Sequence, residues 1–352
     1  VKMVNIGIIG AGSIGKVHMQ EFRKLENVCL AAITSNTLSS AEKSAHDFQI
    51  KKVYQGTKEM LADKDIDAVV IGVPNNWHAE LAISSLKAGK HVLLEKPMGM
   101  NAEEARKIVE AQQETGNILM VAQHRRFEAV MMQVKELISQ GAFGQIYYVK
   151  TGYVRRKGIP GWGSWFTKKD EAGGGALIDI GVHMLDLGMW FMEQTKPVSV
   201  FGSTYSEIGP LKRGIGPWGK PNWDGYFDVD DLAAAMVKME DGSTLQLEVS
   251  WAAHTNTDSK PYLHIMGENG GISINGDQAT FHTEVYGLQS DMNLPAQEQD
   301  EGARKRMSQH FIDCIVAGRE PITTAQTGLQ NNIILDAIYE SSTTGHEVVI
   351  NV

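Results

Sequence analysis

Over residues 1–125 short runs of β-branched and aliphatic residues alternate with stretches whose apolar positions recur at helical spacing. The runs predict strands at 4–9, 28–34, 68–73, 91–95 and 118–123, with helices at 14–25, 40–48, 78–88 and 102–115 between them. Strands that are apolar throughout, each followed by a helix, are those of a parallel sheet covered on both faces. The expected fold here is α/β: a doubly wound Rossmann domain.

Beyond Phe127 the rhythm changes. Helices are predicted near 129–139 and 177–192. A strand is expected at 145–154, and further extended patterns follow at 198–205, 232–240, 244–251, 262–267, 271–275 and 280–286. Strands in succession joined by turns such as Glu240-Asp241-Gly242-Ser243 indicate antiparallel pairing. Helices at 304–317 and 324–341 and a strand at 347–351 close the pattern. Residues 126–352 therefore form an expected α+β domain with a large, mostly antiparallel open sheet. The Gly-, Pro- and Trp-rich stretch 209–224 reads as a long functional loop.

With 352 residues, 42% hydrophobic and 21% charged, the chain exceeds what one core usually holds. Its net charge of -9 opposes a nucleic-acid surface, which needs clustered cations; Arg304-Lys305-Arg306 is too short a run to reverse that. Neither of the two cysteines, Cys29 and Cys314, has neighbours at metal-ligand spacing, so buried free thiols and no metal are expected. With no leader-like start and no apolar run long enough for a membrane span, the expected location is the cytoplasm.

The first candidate chemistry is Gly10-Ala11-Gly12-Ser13-Ile14-Gly15, set between a strand and a helix. Glycines there let the backbone approach a pyrophosphate, while the free amides and dipole of the helix N-terminus hold its charge. An Asp or Glu after the second strand would favour NAD; Ser35-Asn36-Thr37 stands there instead, which tilts the expected cofactor toward NADP, with NAD the alternative.

Glu95-Lys96-Pro97 lies at the carboxyl end of a strand, where α/β sheets place ligands. Lys96 can steady a substrate oxygen, or the Glu–Lys pair can be a plain surface ion pair. On the apolar 177–192 helix, Asp179, His183 and Asp186 fall on one stripe. Polar groups there must meet partners or a wet cavity, and histidine is suited to moving a proton near neutral pH. The alternative is that Asp179 caps the helix after Gly173-Gly174-Gly175 and His183 is a satisfied core histidine.

The glycine fingerprint, Glu95-Lys96-Pro97, the Gly-Gly-Gly-x-x-x-Asp179-x-x-x-His183 segment and Pro74-Asn75-Asn76-Trp77-His78 together resemble the glucose-fructose oxidoreductase/inositol dehydrogenase (Gfo/Idh/MocA) family along essentially the whole chain. The resemblance implies a catalytic set of Lys96, Asp179 and His183. His183 exchanges the hydroxyl proton, Lys96 polarises the same oxygen and bridges to the nicotinamide ribose, and Asp179 binds a neighbouring hydroxyl. Pro74, Asn75 and His78 would line the cofactor groove, with Gly10, Gly12, Ser13, Ile14, Gly15, Ser35, Asn36, Glu95 and Lys96 as further cofactor contacts.

Hydride transfer to or from a secondary alcohol of a cyclic sugar, sugar derivative or inositol is the leading expectation. An NAD-dependent glycosidase working by transient oxidation and a non-catalytic dinucleotide sensor are the alternatives. Arg125, Arg126, Arg155, Arg156, Trp162 and Trp165 are candidate substrate contacts, through stacking and hydrogen bonds, or else packing and surface charge. The open sheet leaves a face to cover, so a homodimer or homotetramer through it is expected.

Overall fold

The computed structural model describes residues 3–193, 195–256, 260–295 and 302–350. The chain divides into two compact units, Val1–Phe127 with Glu301–Gln330, and Glu128–Asp300 with Asn331–Val352.

The first unit runs β1 (Val4–Ile9), α1 (Ser13–Phe22), β2 (Val28–Thr34), α2 (Leu38–Phe48), β3 (Lys52–Val53), α3 (Thr57–Ala62), β4 (Ala68–Ile71), α4 (His78–Lys87), β5 (His91–Leu94), α5 (Ala102–Thr115) and β6 (Leu119–Val121). The strands are all parallel, in the order β3-β2-β1-β4-β5-β6. The order reverses between β1 and β4, and a ligand crevice belongs at the carboxyl ends of such strands. Every residue of β4 is buried, which explains its unbroken apolar run. Helix boundaries follow local capping. Asn101 Oδ1 accepts from the Glu104 amide at 2.9 Å to start α5, and left-handed Gly116 ends it. Cys314 is buried as expected, but Cys29 is exposed, because only the second half of β2 is fully covered.

The second unit contains α6 (Ala129–Ser139), β7 (Ile146–Val154), α7 (Lys169–Ala172), a π-helical turn at Leu177–Gly181, α8 (Val182–Phe191), β8 (Pro197–Tyr205), β9 (Leu232–Met239), β10 (Thr244–Ser250), β11 (Tyr262–Gly267), β12 (Gly270–Asn275), β13 (Gln278–Val285) and β14 (Leu288–Asn293). After α9 (Ala303–Ala317) and α10 (Ala325–Thr344), β15 (Val348–Val349) completes a nine-stranded sheet ordered β14-β13-β12-β11-β7-β10-β9-β8-β15. The expected closing strand at 347–351 is thus shorter, and Asn351 lies outside the described residues. Only β7 and β10 pair in parallel; every other neighbour is antiparallel. One face carries the core, where Leu185 of α8 and Ile334 and Ile338 of α10 join Ala235, Val237 and Leu247. On alternate positions Phe201, Met236 and Met266 are exposed.

Residues 302–330 fall in the first unit rather than the second, where the sequence pattern put them. On α9 the residues Met307, Phe311 and Ile312 enter the first unit's core, with Phe311 edge-on to Phe22 at 6.5 Å. Val121 and Thr323 exchange hydrogen bonds at the edge of the parallel sheet. Among the described residues no helix is long and apolar enough to cross a membrane, and no group of three or more His, Cys, Asp or Glu could hold a metal ion.

Candidate active site

The glycine loop is shaped by contacts that exclude a side chain. Gly10 has φ +108°, and a Cβ on it would meet the Gly72 carbonyl oxygen at 2.3 Å; one on Gly15 would meet the Gly10 oxygen at 2.0 Å. At Gly12, the N-cap of α1, the corresponding space is open. No side chain caps α1 and no acid stands in its first turn, so the amides of Ser13 and Ile14 present the positive end of the helix to an anion. These features fit a dinucleotide pyrophosphate. Ser35 Oγ accepts from the Ala11 amide at 3.3 Å, and Asn36 beside it is exposed.

Two expected cofactor contacts, His78 and Glu95, are buried. His78 is completely buried, with Nδ1 2.7 Å from the Pro97 carbonyl and Nε2 3.0 Å from that of Val73. It ties together the loops carrying Pro74-Asn75 and Lys96 rather than lining a groove; burial lowers its pKa, and the two carbonyls oppose that shift. Glu95 is buried as well. It meets His18 Nε2 at 2.7 Å and accepts from the Lys96 amide at 3.2 Å, so it does not stand on the surface. Burial alone would raise the Glu95 pKa; the His18 hydrogen bond and the charges of His18, Lys96 and Arg304 outweigh it and hold the carboxyl lowered. His18 escaped the sequence reading. Its one signal was a polar residue on the inward face of α1, next to buried Met19.

In the second unit the Gly-Gly-Gly segment is explained by one aspartate. Asp230 accepts from the Gly175 and Leu177 amides at 2.8 Å each and from Tyr339 Oη at 2.7 Å. A Cβ on Gly174 would strike Tyr339 Oη at 2.1 Å, and one on Gly175 the Asp230 carbonyl oxygen at 1.8 Å. Asp230, not Asp179, thus serves the amides that lack a helical partner where the helix begins. Asp179, half-buried, sits in the π-helical turn, a form concentrated at functional sites. Its Oδ2 accepts from Trp251 Nε1 at 2.9 Å. His183 follows in α8, 8% exposed. Asp186, the third residue of the predicted stripe, is buried and meets a partner, its Oδ1 accepting from Asn331 Nδ2 at 2.9 Å.

The candidate substrate contacts divide. Arg126 is buried and donates to the Ile322 carbonyl at 2.7 Å, and Trp162 is buried, donating from Nε1 to Gly209 at 2.8 Å and stacked on Trp223. Both are framework residues. Arg125 is half-buried, Arg155 lies 4.1 Å over the Tyr153 ring, Arg156 is exposed, and half-buried Trp165 stacks on Phe166. The loop 209–224 is fastened down: Gly161 donates to Trp218 and Asn222 to Trp162.

A glycine-lined helix N-terminus beside the strand-order reversal of a parallel sheet places the chain in the class of Rossmann dinucleotide-binding folds. Residues 4–123 match the model of the oxidoreductase family with an NAD-binding Rossmann fold, and residues 131–273 that of the GFO/IDH/MocA C-terminal domain. The chain belongs to the GFO/IDH/MocA family and is an NAD(P)-dependent oxidoreductase. It is similar to D-glucoside 3-dehydrogenase of Escherichia coli (strain K12), 31% identical over 350 residues covering 98% of this chain and 97% of that enzyme. Levoglucosan dehydrogenase of Pseudarthrobacter phenanthrenivorans is 27% identical, with 96% of each chain covered. Scyllo-inositol 2-dehydrogenase (NAD(+)) of Bacillus subtilis is 26% identical over 91% of this chain and 89% of that one. Among solved structures, a levoglucosan dehydrogenase in complex with NADH and L-sorbose shares the fold with a TM-score of 0.89 at 24% identity, covering 100% of both chains.

Proposed function

We propose that the protein oxidises a secondary hydroxyl of a cyclic sugar, sugar derivative or inositol, or reduces the corresponding ketone. The observation that carries this reading is a buried helix presenting a carboxylate with one oxygen fixed, Asp179, and a histidine four residues on, His183. Family relatives named for glucoside, levoglucosan and inositol dehydrogenation support the substrate class. His183 accepts the hydroxyl proton during oxidation and returns it in reduction. Lys96 polarises the reacting oxygen, and Asp179 accepts a hydrogen bond from a neighbouring hydroxyl. A nicotinamide dinucleotide, when bound, supplies the hydride acceptor or donor. The glycine loop residues Gly10, Gly12, Ser13, Ile14 and Gly15 hold its pyrophosphate, with Ser35 and Asn36 toward the adenosine ribose and Pro74 and Asn75 along its course.

The lack of an acid at Ser35-Asn36-Thr37 supports a modest preference for NADP. Glucosides, levoglucosan and inositols mixed with the protein and each cofactor should produce absorbance at the reduced-nicotinamide band, with kcat/KM higher for NADP. No turnover of any of these with either cofactor would sink the substrate class, and a higher kcat/KM for NAD the cofactor preference. Exposed Cys29, a free thiol, supports a reducing compartment such as the cytoplasm.

The bare sheet face supports a homodimer or homotetramer. Phe201 and Met236 are cross-strand partners on it, both exposed. Met236→Lys should shift the light-scattering mass of the unaltered protein down to that of a monomer; an unchanged oligomer would move the interface elsewhere.

A further inference from the structure

We propose that Trp251 is the positioning residue that makes Asp179 selective for a hydroxyl donor on the substrate. The inference rests on the substrate role given to Asp179 above. An indole Nε1–H only donates, so its 2.9 Å bond to Oδ2 favours the ionised, acceptor-only carboxylate and fixes the plane of the group. A carboxylate so held accepts from a substrate hydroxyl, a bond that an analogue lacking that hydroxyl cannot form.

Both partners of this bond are anchored by adjacent residues. Asp231 accepts from the Trp251 amide through its carbonyl at 2.8 Å, while its Oδ2 accepts from the Ile208 and Gly209 amides at 2.7 and 2.8 Å. The indole is fully buried and packs edge-on to Phe227, at 6.5 Å and 74°. On the other side Asp230 holds the Gly175 and Leu177 amides, which start the π-helical turn that carries Asp179. The Asp230-Asp231 pair thereby fixes the backbone that carries the acceptor with one residue and the backbone that carries the donor with the next.

The test is a double-mutant cycle of Trp251→Phe and Asp179→Asn, assayed with methyl glucoside and NADP or NAD. Trp251→Phe keeps an aromatic ring and deletes the N–H. It should raise KM about tenfold, as loss of one charge-assisted hydrogen bond does, with kcat changed less than about threefold. In the Asp179→Asn background it should change KM by less than about twofold. The 15N-labelled indole resonance that Trp251→Phe deletes should move in Asp179→Asn, a readout independent of turnover. An equal KM increase in both backgrounds, or an indole resonance indifferent to Asp179→Asn, overturns the role of Trp251. A KM unaffected by Asp179→Asn, or no oxidation of methyl glucoside, instead overturns the reading beneath it and takes this proposal with it.

Discussion

His183→Ala is expected to lower sugar oxidation by roughly 10²- to 10⁴-fold, the usual contribution of a positioned proton acceptor. Binding of the dinucleotide should persist, because the glycine loop and the N-terminus of α1 belong to the first unit and His183 to the second. Steady-state rates, paired with fluorescence titration of the reduced cofactor, separate the two effects. Activity within about threefold of the unaltered protein would remove His183 from the chemistry, and a parallel loss of cofactor affinity would point to a folding defect instead.

Asp230→Ala should produce the largest fall in stability of any single change near the site. It leaves the Gly175 and Leu177 amides and Tyr339 Oη without the acceptor they share. Buried donors left unmade cost about 1–3 kcal/mol each, so a total of about 3–9 kcal/mol is expected. For a unit of this size that is a drop of roughly 6–36 °C in melting temperature. Calorimetry of the variant checks it, and a fall of under about 2 °C would mean that the helix start is held by other contacts.

The same residue gives a pH signature. Burial raises the Asp230 pKa, with its hydrogen bonds opposing, so the folded state binds its proton more tightly than the unfolded chain does. The Asp230 contribution to stability is therefore greatest below its unfolded pKa and declines as pH rises through the interval up to the folded value. Glu95 acts in the opposite sense: its carboxyl is lowered, so its contribution is complete above the unfolded pKa and is lost as pH falls toward the folded one.

The parallel sheet was legible because β1, β4 and β5 are buried on both faces, so their composition reports their environment directly. β3 and β14 were not. The first has two residues, and the second is an edge strand of mostly polar, exposed residues without an apolar alternation. The pattern on α9 announced a helix but not the core that Met307 and Phe311 join, since an amphipathic face does not name its partner. Among candidate site residues, those that a ligand would touch stood out as unusual types in apolar surroundings. The residues that hold them, His18, Trp251 and Asp230, did not. His18 meets Glu95 across 77 positions and Trp251 meets Asp179 across 72, distances that no local spacing reveals.

The division of the chain also constrains its birth. A ribosome delivers everything through Phe127 first, yet the sheet so formed lacks Phe311 against Phe22 and Thr323 against Val121 until synthesis passes residue 323. At typical elongation speeds of 5–20 residues per second, that is a wait of roughly 10–40 s. During it the nascent nucleotide-binding half exposes the apolar seam that Met307, Phe311 and Ile312 later cover, and it is completed only after the whole intervening segment has emerged.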